Sequence, residues 1–229
     1  MTTRSQRRSA AFLTLLRFFI TVAVFFLLVA VSARLVMTPL FLRFEYTRPG
    51  FPADVYGFTV EDRLHYAPRA LDYLVNSEGL GFLADLAGSG GLPLFNAREL
   101  QHMADVQALT AAVFAAAAVS GGLAVIVSLL LWRAGHGALL RRACRDGALL
   151  TLGTIGLIVV FAVTSWNAFF TGFHTALFTE GTWYFAYSDT LIRLFPEQFW
   201  FDAAVAVGAL AALGALGLLF VTWRVGRSA

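Results

Sequence analysis

The chain has 229 residues, 59% of them hydrophobic, and a mean hydropathy of +0.72. A soluble domain carries roughly 45–50% apolar residues, so this composition marks an integral membrane protein and excludes a soluble enzyme. The formal charge is +3 and all 17 basic residues are arginines spread along the chain, so no basic stripe points to nucleic acid as a partner. Cys144 is the single cysteine, which excludes an intrachain disulfide and any cysteine-based metal site.

Residues 1–11 carry Arg4, Arg7 and Arg8 and precede a first apolar segment over 12–36. About 25 residues suffice to cross a hydrocarbon core of roughly 30 Å. Val31-Ser32-Ala33 has the residue sizes of a signal-peptidase site, but the apolar run exceeds the 7–15 residues of a usual signal core, so an uncleaved first helix is expected. Residues 37–107 then turn polar and are broken by Pro39, Pro49, Pro52, Pro68 and Pro93, which reads as a cap of mixed short elements and not as a span. Within the cap, Leu64, Ala67, Leu71, Leu74 and Val75 recur at helical spacing and predict an amphipathic helix over Val60 to Asn76. Gly79 to Gly91, with five glycines, predicts a flexible loop.

The second apolar segment, 108–132, is led by Asn96-Ala97-Arg98-Glu99, an N-cap residue with a carboxylate three positions on, much like a capping box. A helix starting there is about 36 residues or roughly 54 Å long, so its first turns, carrying His102, project beyond the bilayer core. Glu99 and Asp105 sit three residues to either side of His102. A basic loop over 133–147, a third segment over 148–170, a polar and aromatic stretch over 171–202, a fourth segment over 203–222 and a tail over 223–229 complete the chain. The fold class predicted is an all-α membrane protein: a four-transmembrane-helix bundle with a small extracytoplasmic cap. Nine arginines and one acid, Asp146, lie on the side of the termini and the 133–147 loop, against 13 acids on the other. Cytoplasmic loops are enriched in Arg and Lys, so the termini are expected in the cytoplasm of a cell-membrane protein, with the cap and the 171–202 stretch facing outward.

The second and third segments are joined by about 15 residues, which makes antiparallel neighbours. His102 lies shortly before one outer end and His174 shortly after the other, so two imidazoles are expected at one depth. Histidine titrates near 6.5 and serves as acid or base at neutral pH; Asp105 is a candidate to orient His102, and Asp189 to serve His174. The second, third and fourth spans contain no ionisable residue, unlike a transporter with charges near the midplane. The aromatics between His174 and Pro196, among them Phe178, Trp183, Tyr184 and Phe185, are denser than an interfacial belt requires and fit a groove for acyl chains.

Other signals carry less. Gly79-Leu80-Gly81-Phe82-Leu83-Ala84 spells a dinucleotide fingerprint, but the cap has no room for a βαβ unit. Ala87-Gly88-Ser89-Gly90-Gly91 lacks the strand that a nucleophile elbow follows. Glu99 and His102 form half of a carboxylate-bridged metal pattern, and His65, His102 and His174 are a conceivable zinc set; neither outweighs metal-free acid–base chemistry, and no metal or cofactor is expected.

With these residues in place, three stretches resemble the bacterial lipoprotein intramolecular transacylases called Lit. They are EYTRPGFPADVYGFTVEDRL from Glu45, FNARELQHMADVQAL from Phe95, and Phe173 to Phe201, with its FH-x-x-x-F, W-x-F, D-x-LI and LFP-E-x-F patterns. Leu177 stands where an aromatic is expected, and Ala186-Tyr187-Ser188 replaces a proline-containing turn. Both departures lie beside the histidines and leave them intact.

The resemblance implies transfer of the sn-2 acyl chain of a diacylglyceryl-cysteine lipoprotein to the cysteine α-amino group, leaving an N-acyl lyso-lipoprotein. It maps a catalytic pair onto His102 and His174, with Asn96, Arg98, Glu99, Asp105, Trp183, Asp189 and Arg193 as candidate supporting or substrate-binding residues. The implied partners are the diacylated lipoprotein and membrane lipid. Because amine and ester belong to one substrate molecule, positioning and proton transfer suffice without a covalent nucleophile. One histidine, by preference His174, deprotonates the amine and the other protonates the glycerol oxygen; Arg193, Asn96 or a backbone amide is a candidate for the oxyanion. The competing readings are another outward-facing lipid or lipoprotein acyl hydrolase or acyltransferase, and a non-catalytic accessory membrane protein.

Overall fold

The computed structural model describes residues 4–88 and 90–227, so the discounted Ser89 lies outside the described residues. Among the described residues there are nine helices and no strand, apart from a single antiparallel bridge, Ala87 to Pro93. The helices are α1 (Arg4–Val36), α2 (Pro39–Thr47), α3 (Val60–Val75), α4 (Gly81–Ala84), α5 (Ala97–Arg133), α6 (Gly137–Thr164), α7 (Trp166–Leu177), α8 (Thr190–Leu194) and α9 (Glu197–Arg227). Four of them, α1, α5, α6 and α9, are long and apolar enough to cross a membrane.

Two compact units divide the chain. The first comprises Met1–Ala33, Phe114–Val160 and Val207–Ala229. Here α1 is the common packing partner. A Cβ on Gly147 of α6 would lie 2.7 Å from Val24 Cβ and 2.8 Å from Thr21 O, one on Gly214 of α9 would lie 2.8 Å from Leu28, and one on Gly121 of α5 would lie 3.1 Å from Leu27. Small residues allow this close approach, which is how helices associate where lipid removes the hydrophobic drive between them. Arg17 of α1 donates to Asp146 of α6 through Nε at 3.0 Å, and Thr21 Oγ1 donates to Ala143 O at 3.2 Å. The outward faces carry exposed Val119, Leu130, Leu157 and Leu213, the surface expected against acyl chains.

The second unit, Arg34–Val113 and Phe161–Ala206, holds the polar segments. Over 37–107, two short helices, α2 and α4, join the one read from periodicity. Pro39, placed at the first position of α2, supplies a preset φ and lacks only an N–H that has no helical partner there, while Thr38 caps the next turn. In α3, Thr59 and Asp62 form a reciprocal capping box, and Gln107 of α5 closes the other end by donating to Tyr73 O at 2.7 Å. Pro68 lies inside α3 without ending it. The described residues of the glycine-rich 79–91 segment contain α4 and Ala87, one side of the bridge, so they are more ordered than the composition predicts. Leu42, Tyr46, Ala67, Tyr73, Leu83, Met103, Leu194 and Phe199 form the core of this unit.

The third apolar segment, read as one run over 148–170, is two helices. Ser165 leaves helical geometry at φ −161° and its hydroxyl accepts from Ala168 N, ending one helix and starting α7.

Candidate active site

Asn96 starts α5 as expected. Its Oδ1 accepts from Arg98 N and Glu99 N at 3.0 Å, and Glu99 Oε2 accepts from Asn96 N at 2.8 Å. The other oxygen of Glu99 accepts from Leu191 N in α8 at 2.6 Å. Asn96 Nδ2 donates to Asp189 Oδ1 at 3.2 Å, Arg98 lies 3.5 Å from Asp189 Oδ2, and Thr190 Oγ1 donates to Leu94 O. These contacts clasp the start of α5 to the start of α8. Glu99, 1% exposed, is the buried centre of the clasp; burial pushes its carboxyl above the usual carboxylate range.

His102 sits one turn beyond Glu99 on α5, ahead of the apolar run that begins near Ala108. His174 is in the last turn of α7. Their rings lie 6.2 Å apart between centroids and within 24° of parallel. Phe178 and Phe185 pack edge-on against His102 at 5.0 and 5.3 Å, while Phe170, Trp183, Phe173 and Phe178 surround His174 at 4.1, 5.0, 5.5 and 5.7 Å. Phe170, His174 and Phe178 are spaced four apart and so share one face, and Phe178 touches both imidazoles. Gly181, at φ +85°, makes the turn after α7 that brings Trp183 back onto His174, a conformation that disfavours a side chain.

His174 Nδ1 lies 2.8 Å from Phe170 O. A carbonyl only accepts, so Nδ1 carries the proton and the Nε2 lone pair is free. His102 Nδ1 is buried with no partner among the described residues. Burial in the aromatic wall lowers both pKa values; His102, depressed further by His174 and partly offset by Asp105, falls to about 4. At neutral pH both imidazoles are therefore uncharged.

The remaining candidates fall elsewhere. Asp105 accepts from Gln101 Nε2 at 3.0 Å and influences His102 by charge alone. Asp189 serves the clasp and not His174, whose ring is set by Phe170 O instead. Arg193 donates from Nε to Asp54 at 3.0 Å and from Nη2 to Tyr56 O at 3.1 Å, and its guanidinium lies 3.5 Å from the Phe58 ring centroid. Buried Arg63 fixes the same segment by donating to Arg193 O at 2.9 Å and to Pro52 O at 2.7 Å. Asp54 and Arg63, in the EYTRPGFPADVYGFTVEDRL stretch, were not read as partners of Arg193; a sequence separation of 139 residues between Asp54 and Arg193 hides that pairing. His65 packs on Tyr66, and no group of three potential metal ligands occurs among the described residues.

Helices of membrane-spanning length, with two neutral histidines walled by aromatic rings, define an all-α integral membrane protein with a candidate acid–base centre. The family described as "Lipoprotein intramolecular transacylase Lit" matches residues 16–200. A protein of Aquifex aeolicus (strain VF5) is 30% identical over 197 residues, covering 83% of this chain and 85% of that protein. An in meso structure of the membrane integral lipoprotein intramolecular transacylase Lit from Bacillus cereus superimposes with a TM-score of 0.75 at 18% identity, covering 96% of this chain and all of that one. A second structure of that protein, with one histidine replaced by arginine, gives 0.77 at 17% identity, covering 98% and 96% of the two chains. The chain belongs to the Lit family of lipoprotein intramolecular transacylases and is an acyltransferase.

Proposed function

We propose that the enzyme moves the sn-2 acyl chain of a diacylglyceryl-cysteine lipoprotein to the cysteine α-amino group, with His102 and His174 as the acid–base pair. The observation that carries this reading is the tautomer of His174: Nδ1–H is spent on Phe170 O, which leaves Nε2 as an acceptor beside a second neutral imidazole. The transfer needs one proton moved from nitrogen to oxygen. The amine nitrogen attacks the ester carbonyl carbon as Nε2 of His174 takes its proton. The proton passes to His102, the bond from carbon to the sn-2 oxygen breaks, and His102 protonates that oxygen. An amide and a free hydroxyl result, and both imidazoles end neutral. A second positive charge is never required, which suits a site where burial and mutual repulsion both oppose one.

The test is mass spectrometry of the N-terminal peptide of a reporter lipoprotein in a host lacking N-acylation. The wild-type protein is expected to yield N-acyl, monoacylglyceryl cysteine, and His102→Ala or His174→Ala to leave the diacylglyceryl form, since losing acid–base catalysis costs about 10²–10⁴ in rate. Free fatty acid in place of N-acyl product identifies a hydrolase; unchanged peptide with inserted wild-type protein overturns the reaction.

A further inference from the structure

The tetrahedral adduct of this transfer carries a negative oxygen, and a site that stabilises it needs a donor aimed at that oxygen. The obvious side-chain donors are already engaged. Arg193 is held by Asp54 and Tyr56 O, Asn96 Nδ2 by Asp189, and Arg98 by the same carboxylate. The backbone N–H groups that close α7 and precede α8 are also paired, Phe178 N to His174 O at 2.8 Å and Asp189 N to Ala186 O at 2.9 Å.

Trp183 differs from all of these. It is 7% exposed, and its Nε1 is buried with no hydrogen-bond partner among the described residues. Native structures rarely leave a buried N–H unmade, and one that persists calls for a functional account. The indole lies 5.0 Å from the His174 ring, inclined at 35°, and 4.1 Å from the Tyr184 ring, inclined at 32°, so two rings constrain its orientation.

We propose that the Trp183 N–H donates to the acyl carbonyl oxygen and to the oxyanion that forms from it; this rests on the acyl-transfer reading above. An indole suits the place. It donates and never accepts, it stays neutral, and it therefore adds no cation to a pair that burial keeps uncharged. Attack by the amine converts the C=O double bond to C–O⁻ and shortens the hydrogen bond. Collapse restores the C=O as the glycerol oxygen leaves with its proton, so Trp183 gains and loses nothing over the cycle. Because Nε1 is buried, the ester reaches it only as the acyl chain parts the aromatic wall.

The experiment uses the full-length protein in lipid nanodiscs with a synthetic diacylglyceryl-cysteinyl peptide. Trp183→Phe removes the N–H with part of the ring; site-specific replacement of Trp183 by 3-benzothienylalanine substitutes sulfur for the N–H and keeps the bicyclic shape. Both are expected to lower kcat about 10²–10³-fold, the scale of a lost oxyanion donor, with KM within about threefold. A benzothienyl variant that keeps kcat within about threefold of wild type overturns the proposal, even if the Phe variant is inactive. If wild type releases fatty acid instead of N-acyl product, the acceptor assignment falls, and the same comparison of kcat still decides the role of Trp183. Absence of any turnover by the wild type overturns both.

Discussion

At the scale of residues, the proposed acid–base chemistry turns on how two imidazoles are kept neutral and in which tautomer. A base works only with its lone pair available, and His174 has it at Nε2 because Phe170 O holds the proton at Nδ1. The pH consequence has a definite sign. Both pKa values are lowered by burial, His102 to about 4, so the neutral, competent pair persists at neutral pH and is lost only as pH falls below the ordinary histidine value of about 6.5. Imidazole ¹⁵N shifts of selectively labelled protein in detergent check this. His102 is expected to remain neutral at pH 5.5, and His174 to show Nδ1 protonated and Nε2 bare at pH 7. A His102 signal that titrates near 6.5 contradicts the closed aromatic environment.

At the scale of elements, the pair is held by a clasp between chain segments more than 90 residues apart. Glu99 accepts from Asn96 N in its own helix and from Leu191 N in α8. Removing the carboxylate leaves the buried Leu191 N–H unpaired, at about 1–3 kcal/mol, and takes the half-buried Asn96 N–H bond from the α5 cap, at about 1 kcal/mol. Glu99→Ala is therefore expected to lose about 2–4 kcal/mol of stability and to speed hydrogen exchange of the Leu191 amide; Glu99→Asp, one methylene short of α8, is expected to lose that exchange protection while keeping the α5 cap. Thermal unfolding in detergent and amide exchange measure both, and unchanged melting of Glu99→Ala refutes the clasp. Half of this device is legible in the sequence. The Asn96–Glu99 spacing announces the α5 cap, and segment lengths alone predict that His102 and His174 meet. The second bond of Glu99 is invisible because it depends on where α8 docks. The break at Ser165 is hidden too, since apolar residues continue on both sides and only the serine hydroxyl marks the new start. The wall of Phe170, Phe178 and Phe185 reads equally well as an interfacial belt until its rings are seen against the imidazoles.

For the whole molecule, the open question is which side of the membrane the histidines face. Four spans are expected to leave both chain ends on one side, and the arginines are the argument for the cytoplasmic one: nine lie with the termini and the 133–147 loop, beside a single acid, Asp146, while the other polar segments hold 13 of the 14 acids. Asp146 is itself paired with Arg17, so it weakens the local positive excess by little. Arginine is retained on the cytoplasmic side during insertion, and a lipoprotein whose lipidated cysteine lies at the outer leaflet needs its acyl transfer there. The expected arrangement is an outward cap and histidine pair. In a Cys144→Ala background, a membrane-impermeant maleimide applied to intact spheroplasts is expected to label Tyr187→Cys, at a position 79% exposed in the wild-type protein, and to reach Ala134→Cys, in the α5–α6 turn, only after permeabilisation. The reverse pattern puts the pair in the cytoplasm. It also removes the outer-leaflet lipoprotein as substrate, because a polar head group and its peptide do not cross the apolar spans to reach the site.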